Sequence, residues 1–255
     1  MAATLRYFLI TALRDRFLGA ILLAVVAAVG GAVFFGASAL TERRALGLVF
    51  AGELVRLILV VGLITFICFH LRRMYETREI EAILARPISR TAFVFSCFAA
   101  YAAISLLLAL LLVPLLIATL HAGGAGLALW DVSLMLEGLI VIGLGLFCAM
   151  SLESATASVL AALGLYLLGR SAAFFRAIAE AGTGALDQQS LNTGARWVME
   201  GIAAVAPRLD LFGQSRWLVY GPGGGWGLGV LLVQVAIYVP LLLLATIRDL
   251  QVRRF

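Results

Sequence analysis

The stretch Arg72–Phe93, RRMYETREIEAILARPISRTAF, is the only long charged run set between two apolar spans, and its reading decides the fold. Ile80, Ile83 and Leu84 stand at i, i+3, i+4, and Arg72 and Glu76 are one turn apart. The first part therefore reads as an amphipathic helix continuing from the preceding span. Pro87 disfavours helical geometry at Arg86, and Ser89 can cap a new helix starting near Arg90. The expected shape is helix, elbow, helix.

Composition sets the class of the rest. The 255 residues are 63% hydrophobic and 13% charged. Mean hydropathy is +1.08. Apolar runs of about 20 residues recur, the length a helix needs to cross a bilayer, so a polytopic all-α membrane protein is expected and a soluble core is excluded. A net charge of +5 could suggest nucleic acid, but the arginines cluster at the ends of apolar spans, where the positive-inside rule requires them, and no nucleic-acid partner is expected. The chain has no Lys, which removes a P-loop lysine, a Schiff-base lysine and a lysine base together. It is not expected to be an enzyme or to hold a cofactor or metal. Cys68, Cys97 and Cys148 are odd in number and lie in apolar runs, which favours buried packing over disulfides. Cys68 and His70 lie on different helix faces, and His121 has no second ligand near it.

In chain order, residues 1–16 form an interfacial helix, with Leu5, Phe8, Leu9, Ala12, Leu13 and Phe17 on one face and Arg6, Arg14, Asp15 and Arg16 polar. Residues 17–71 hold spans one and two, 72–93 the elbow, 94–175 spans three to five, 176–225 an external segment, 226–247 span six, and 248–255 a tail. Ala37-Ser38-Ala39 resembles a signal-peptidase site, but the apolar run before it is too long for an ordinary signal peptide. Pro114 is expected to kink span three, and His121 to Asp131 to form a Gly-rich external loop. Ser154 or Thr156 can cap the fifth helix. Trp197, Val198, Ile202 and Val205 suggest a helix on the outer leaflet, ended by Pro207.

Three intramembrane polar residues are candidates for function: Arg56, Glu137 and Gln234. Glu53 and Arg56 are three apart near the outer end of span two, so they can pair while Arg56 snorkels to the headgroups; the pair is either interfacial or part of a transport path. A carboxylate in hydrocarbon costs about 2.5 to 3.5 kcal/mol on insertion scales, so Glu137 should face a helix interface, a cavity or the outer boundary, in a functional or a structural role. Orientation follows by counting. Arg6, Arg14, Arg16, Arg72, Arg73, Arg78, Arg86, Arg90, Arg248, Arg253 and Arg254 fall on one side, against Arg43 and Arg44 in the short opposite loops. Six spans with both termini cytoplasmic is the consistent topology.

An amphipathic N-terminal helix, six spans and a glutamate-rich helix leading into R-P-I-S-R resemble the ABC-2 type transporter permeases. They also resemble the branch that includes permeases of copper-enzyme maturation and antibiotic export. The matching positions are Glu76, Glu79, Glu81, Leu84, Pro87, Ser89, Arg90 and Phe93, with Arg86 beside Pro87, and Pro207 to Gly221 is similar to the stretch before that branch's last span. Where the family often has a Lys after the aromatic, this chain has Cys97 and Phe98.

The resemblance implies a multi-pass protein of the bacterial cytoplasmic (inner) membrane, a permease subunit working as an exporter among membrane lipids. It would pair with a second copy as a homodimer or with a paralogue. A separate ATP-binding cassette ATPase would bind ATP and Mg, and its closure would push the coupling elbow. The alternative is a non-transporting scaffold or sensor subunit of such a complex. A rival class, an intramembrane enzyme, would need a base beside Glu137, Ser105, Ser151 or Ser158, and no His or Lys stands at suitable spacing. Few charges within the spans favour an amphiphilic or hydrophobic cargo.

Overall fold

The computed structural model describes residues 2–38, 42–80, 89–174, 201, 207–222 and 227–252. Among them the chain is helical and contains no strand. Helix α1 spans Ala2–Leu13, α2 Arg16–Ser38, α3 Arg43–Glu76, α4 Arg90–Leu120, α5 Gly124–Ser151 and α6 Ala155–Arg170. A 3-10 turn at Leu209–Leu211 leads to the short α7, Arg216–Tyr220, and α8 covers Gly227–Val252.

Five of these helices, α2, α3, α4, α5 and α8, are long and apolar enough to cross a membrane. The protein is thus a multi-pass membrane protein. The fifth of the six expected spans is α6, which is apolar but only 16 residues long. At 1.5 Å per residue it reaches about 24 Å, short of the roughly 30 Å hydrocarbon layer. By the same measure the 34 residues of α3 extend about 51 Å, so its ends stand outside the hydrocarbon. Most of its charge lies at those ends, Arg43 and Arg44 at one and Arg72, Arg73 and Glu76 at the other, with Glu53 and Arg56 between them.

Helix α5 is the centre of the bundle and packs against α3, α4, α6, α7 and α8. Glycines on α5 let these neighbours approach: a side chain at Gly143 would meet Leu242 of α8 at 3.0 Å, and one at Gly145 would meet Ile67 of α3 at 3.4 Å. In a bilayer, where lipid tails are as apolar as leucine, close van der Waals packing of this kind drives helix association. Cys68, Cys97 and Cys148 are all buried and free.

Helix α5 also corrects the expected loop at 121–131. The connection is only His121 to Gly123, with His121 in the left-handed conformation at the end of α4. Trp130 and Asp131 lie inside α5 and are buried. The glycines at 124 and 126 favour a loop by propensity, but tertiary packing overrides that preference. A Cβ on Gly126 would overlap the Trp217 carbonyl oxygen and lie 2.9 Å from the Gly221 Cα, so α7 seats directly on the α5 backbone. Pro114 and Pro240 both sit inside helices that run on through them.

The two ends of the bundle differ. At one end lie α1, residues 72–80, the start of α4 and the end of α8, joined by contacts described below; this is the arginine-rich end. At the other, Arg44 Nη2 donates to the His121 carbonyl at 2.8 Å, and Leu209, Phe212, Trp217 and Leu218 are buried against the bundle. Part of the expected external segment is therefore folded into the core. The helix expected at Trp197, Val198, Ile202 and Val205 lies outside the described residues.

Gly126→Ala should weaken the α5–α7 contact. Overpacking of this kind costs about 1 to 3 kcal/mol, so the thermal midpoint in detergent should fall, whereas Gly19→Ala, with nothing within 4 Å, should leave it unchanged or raise it slightly.

Candidate functional site

Two groups of residues, one inside the bundle and one at its arginine-rich end, hold most of the described candidates. The interior group begins on α3. Arg56 is only 1% exposed, and its Nη1 is ion-paired to Oε2 of Glu137 on α5, which is 0% exposed. Its Nη2 donates to Ser133 Oγ at 3.0 Å, and its guanidinium carbon lies 5.3 Å from the Trp130 ring centroid, within cation–π range. Trp130, Ser133 and Glu137 share one face of α5 because they are spaced three and four apart. The Ser133 hydroxyl also stands 2.7 Å from the Trp130 carbonyl oxygen and 3.1 Å from that of Phe212.

Glu137 then reaches α6 through its other oxygen. The Tyr166 hydroxyl donates to Oε1 at 2.9 Å, and Arg170 Nη1 lies 3.7 Å from the same atom. Arg170 Nη2 contacts Glu53 Oε2 on α3 at 3.2 Å, and the other Glu53 oxygen accepts from the Ser215 hydroxyl. The chain of contacts runs α3, α5, α6, back to α3 and out to residue 215. It holds two cations and two carboxylates, so its formal charges cancel.

This differs from the expected Glu53–Arg56 pair with Arg56 snorkelling to the surface. Arg56 sits one turn deeper than Glu53, on a face covered by α5, where only a charged partner with good geometry offsets desolvation. Glu53 stays 46% exposed at the rim and meets Arg170 instead. Of the three settings open to Glu137, it occupies a helix interface. Gln234 stands apart: its Oε1 accepts from the Arg208 backbone N–H at 3.1 Å and ties α8 to the stretch before the 3-10 turn.

At the arginine-rich end, the segment 72–93 is described at its two ends. Arg72 Nε donates to Glu76 at 3.0 Å, the one-turn pair expected from spacing. The helix does not run on smoothly through Ile80, however. Thr77 offers both its backbone N–H and its hydroxyl to the Arg73 carbonyl, at 2.9 and 3.0 Å, and Arg78 follows with φ +57°. A left-handed residue there closes α3 at Glu76. Residues 79 and 80 are again helical, and Ile80 is buried. Glu81, Leu84, Arg86 and Pro87 lie outside the described residues.

Where the chain resumes, Ser89 Oγ accepts from the Ala92 N–H at 3.2 Å and caps α4, which starts at Arg90 as expected. Both ends of the segment are fastened. The Tyr7 hydroxyl on α1 donates to Glu79 Oε2 at 2.9 Å, while Arg90 Nη1 donates to the carbonyls of Leu250 and Gln251 on α8 at 2.6 and 3.1 Å. Phe93 is buried with its ring edge-on to Phe8 of α1, centroids 5.7 Å apart. The hydrogen bond to the Glu79 carboxylate raises the Tyr7 phenol above its ordinary value of 10.0, so the hydroxyl keeps its proton and stays a donor.

Tyr166, Arg170, Ser215 and Trp130 were missing from the sequence reading of the interior group. The 130/133/137 spacing could have flagged one polar face of α5, but partners 81, 29 and 117 residues apart leave no local signal. Of the serines considered as nucleophiles, Ser158 sits with its hydroxyl 3.1 and 2.9 Å from the Cys148 and Ser154 carbonyl oxygens. Among the described residues no three His, Cys, Asp or Glu side chains gather as a metal site. No protein-family model and no curated protein matches the chain.

Glu137→Gln should destabilise the protein by about 3 to 5 kcal/mol, because Arg56 is left buried without a counter-charge. The double replacement Arg56→Met/Glu137→Met should recover most of that loss. Denaturant unfolding in micelles checks both, and a double variant as unstable as the single one would rule out the pairing.

Proposed function

We propose that the chain is the transmembrane permease subunit of an ATP-binding cassette transporter, an exporter driven by ATP and Mg bound on a separate ATPase subunit. In this reading the arginine-rich end faces the cytoplasm of a bacterial inner membrane, both termini lie there, and α6 completes six crossings. The excess of arginine at that end supports the orientation. Two copies of the chain work together.

One observation carries the reading beyond resemblance: the segment 72–93 is anchored at both ends to the terminal helices. A loop that merely joined two spans would need no such ties. With Glu79 held by Tyr7 of α1 and Arg90 holding the last carbonyls of α8, a push on the segment moves α1, α3, α4 and α8 together. At the far end, the Arg56–Glu137–Arg170–Glu53 contacts bind α3 to α5 and α6. Displacement of the inner end of α3 then tilts the bundle as a body, a rigid-body transition of the kind that couples nucleotide hydrolysis to distant sites. The chain supplies the path and the lever; hydrolysis belongs to the partner.

The tagged chain should co-purify with a P-loop ATPase. Arg90→Glu removes a charge-assisted hydrogen bond and sets a negative charge against the C-terminal carbonyls of α8. It should leave the partner bound but lower ATP hydrolysis by the reconstituted complex about tenfold. Unchanged hydrolysis, or a chain fully active without a companion, would overturn the proposal.

A further inference from the structure

Helix α1 presents two faces. Phe8 and Ala12 are buried against α4, with Phe8 against the Phe93 ring. The sequence pattern placed Leu13 on that same face, but it points outward, 46% exposed, beside Tyr7 at 42% and Ile10 at 44%. Arg6, Ile10 and Leu13 follow at i, i+4 and i+7, so an arginine shares the outward apolar strip. Arg14 and Arg16, at the joint to α2, are exposed as well.

The acidic residue of this region, Asp15, is turned inward. Its Oδ1 accepts from the Phe17 N–H at 3.0 Å, and its Oδ2 lies 3.7 Å from both His70 Nδ1 and Arg73 Nη1 on α3. The outward strip of α1 is therefore cationic and apolar together, and the Glu79 carboxylate that reaches it comes from the segment after α3 and is held by the Tyr7 hydroxyl. Water suits only the cationic half of that combination. The boundary between acyl chains and anionic headgroups suits both, because the apolar side chains enter the lipid while each guanidinium meets phosphate.

We infer that the outward face of α1, with Arg6, Arg14 and Arg16, is a docking surface for anionic phospholipid headgroups, and that Tyr7 passes its occupancy to the segment after α3 through Glu79. The link is short. Tyr7 lies on the lipid-facing strip and its hydroxyl ends on Glu79, three residues past the end of α3. A lipid that holds α1 in the interface thereby restrains residues 77–80. The inference requires no ATPase partner and stands apart from the transport reading.

Hydrogen exchange tests it on the full chain in nanodiscs of phosphatidylcholine, with and without phosphatidylglycerol. A basic residue near an anionic surface contributes roughly 1 kcal/mol, or about fivefold, so amides of residues 2–13 should exchange at least about fivefold more slowly with phosphatidylglycerol present. The same lipid should slow residues 77–80. Replacing Arg6, Arg14 and Arg16 together by Gln should abolish both differences, while Arg248→Gln leaves them. Tyr7→Phe should keep the slowing in 2–13 and lose it in 77–80. Equal exchange in the two lipids, or a lipid difference that survives the triple replacement, would overturn the docking surface. A response of 77–80 that persists in Tyr7→Phe would overturn the link.

Discussion

A guanidinium and a carboxylate buried together decide how this bundle is assembled. Arg56 and Glu137 are both almost wholly enclosed, and neither charge is tolerable there alone. Each requires the other, and so α3 and α5 must meet in one register. Ser133 and Trp130 occupy the remaining sides of the guanidinium, and Tyr166 takes the second carboxylate oxygen. The apolar contacts around them could be satisfied by several rotations of the helices. The ion pair admits one.

The remaining polar contacts extend that registration outward. Arg170 spans the Glu137 and Glu53 carboxylates, so α6, the shortest of the six expected spans, is tied by charge to both α5 and α3. Ser215 on the far side of Glu53 brings the stretch before α7 into the same arrangement, and Gly126 lets α7 seat on the backbone of α5. A buried ion pair is weak evidence of net stability, since desolvation offsets much of the Coulomb attraction. Its contribution here is better described as specificity: it selects which faces of three helices touch.

The opposite end is held by different means. Hydrogen bonds from Tyr7 and Arg90 fasten the charged segment after α3 to the first and last helices, and the Phe8–Phe93 contact buries the joint between them. These ties cross 72 and 160 residues of sequence and link α1, α4 and α8 at the arginine-rich end. One end of the molecule is thus locked by buried charge, and the other is gathered by exposed polar contacts that can rearrange at lower cost.

Much of the architecture was legible in the residues alone. Apolar runs of spanning length mark membrane helices because every backbone polar group in hydrocarbon must be bonded within its own segment. Ser89 before Arg90 announced a capped helix start, and Ser154 did the same for α6, because capping depends on the first turn alone. Arg56 and Glu137 were conspicuous as charges in apolar surroundings. What the sequence could not determine was their pairing: Glu53 lay closer to Arg56 along the chain, and periodicity groups residues on one helix without saying which other helix covers them. The helical start of α5 was hidden for the same reason, since Gly124 and Gly126 read as loop until α7 is packed against Gly126. Local chemistry sets where helices begin and which faces are apolar; only the packed bundle decides which buried charge meets which, because that choice depends on distances between segments far apart in the chain.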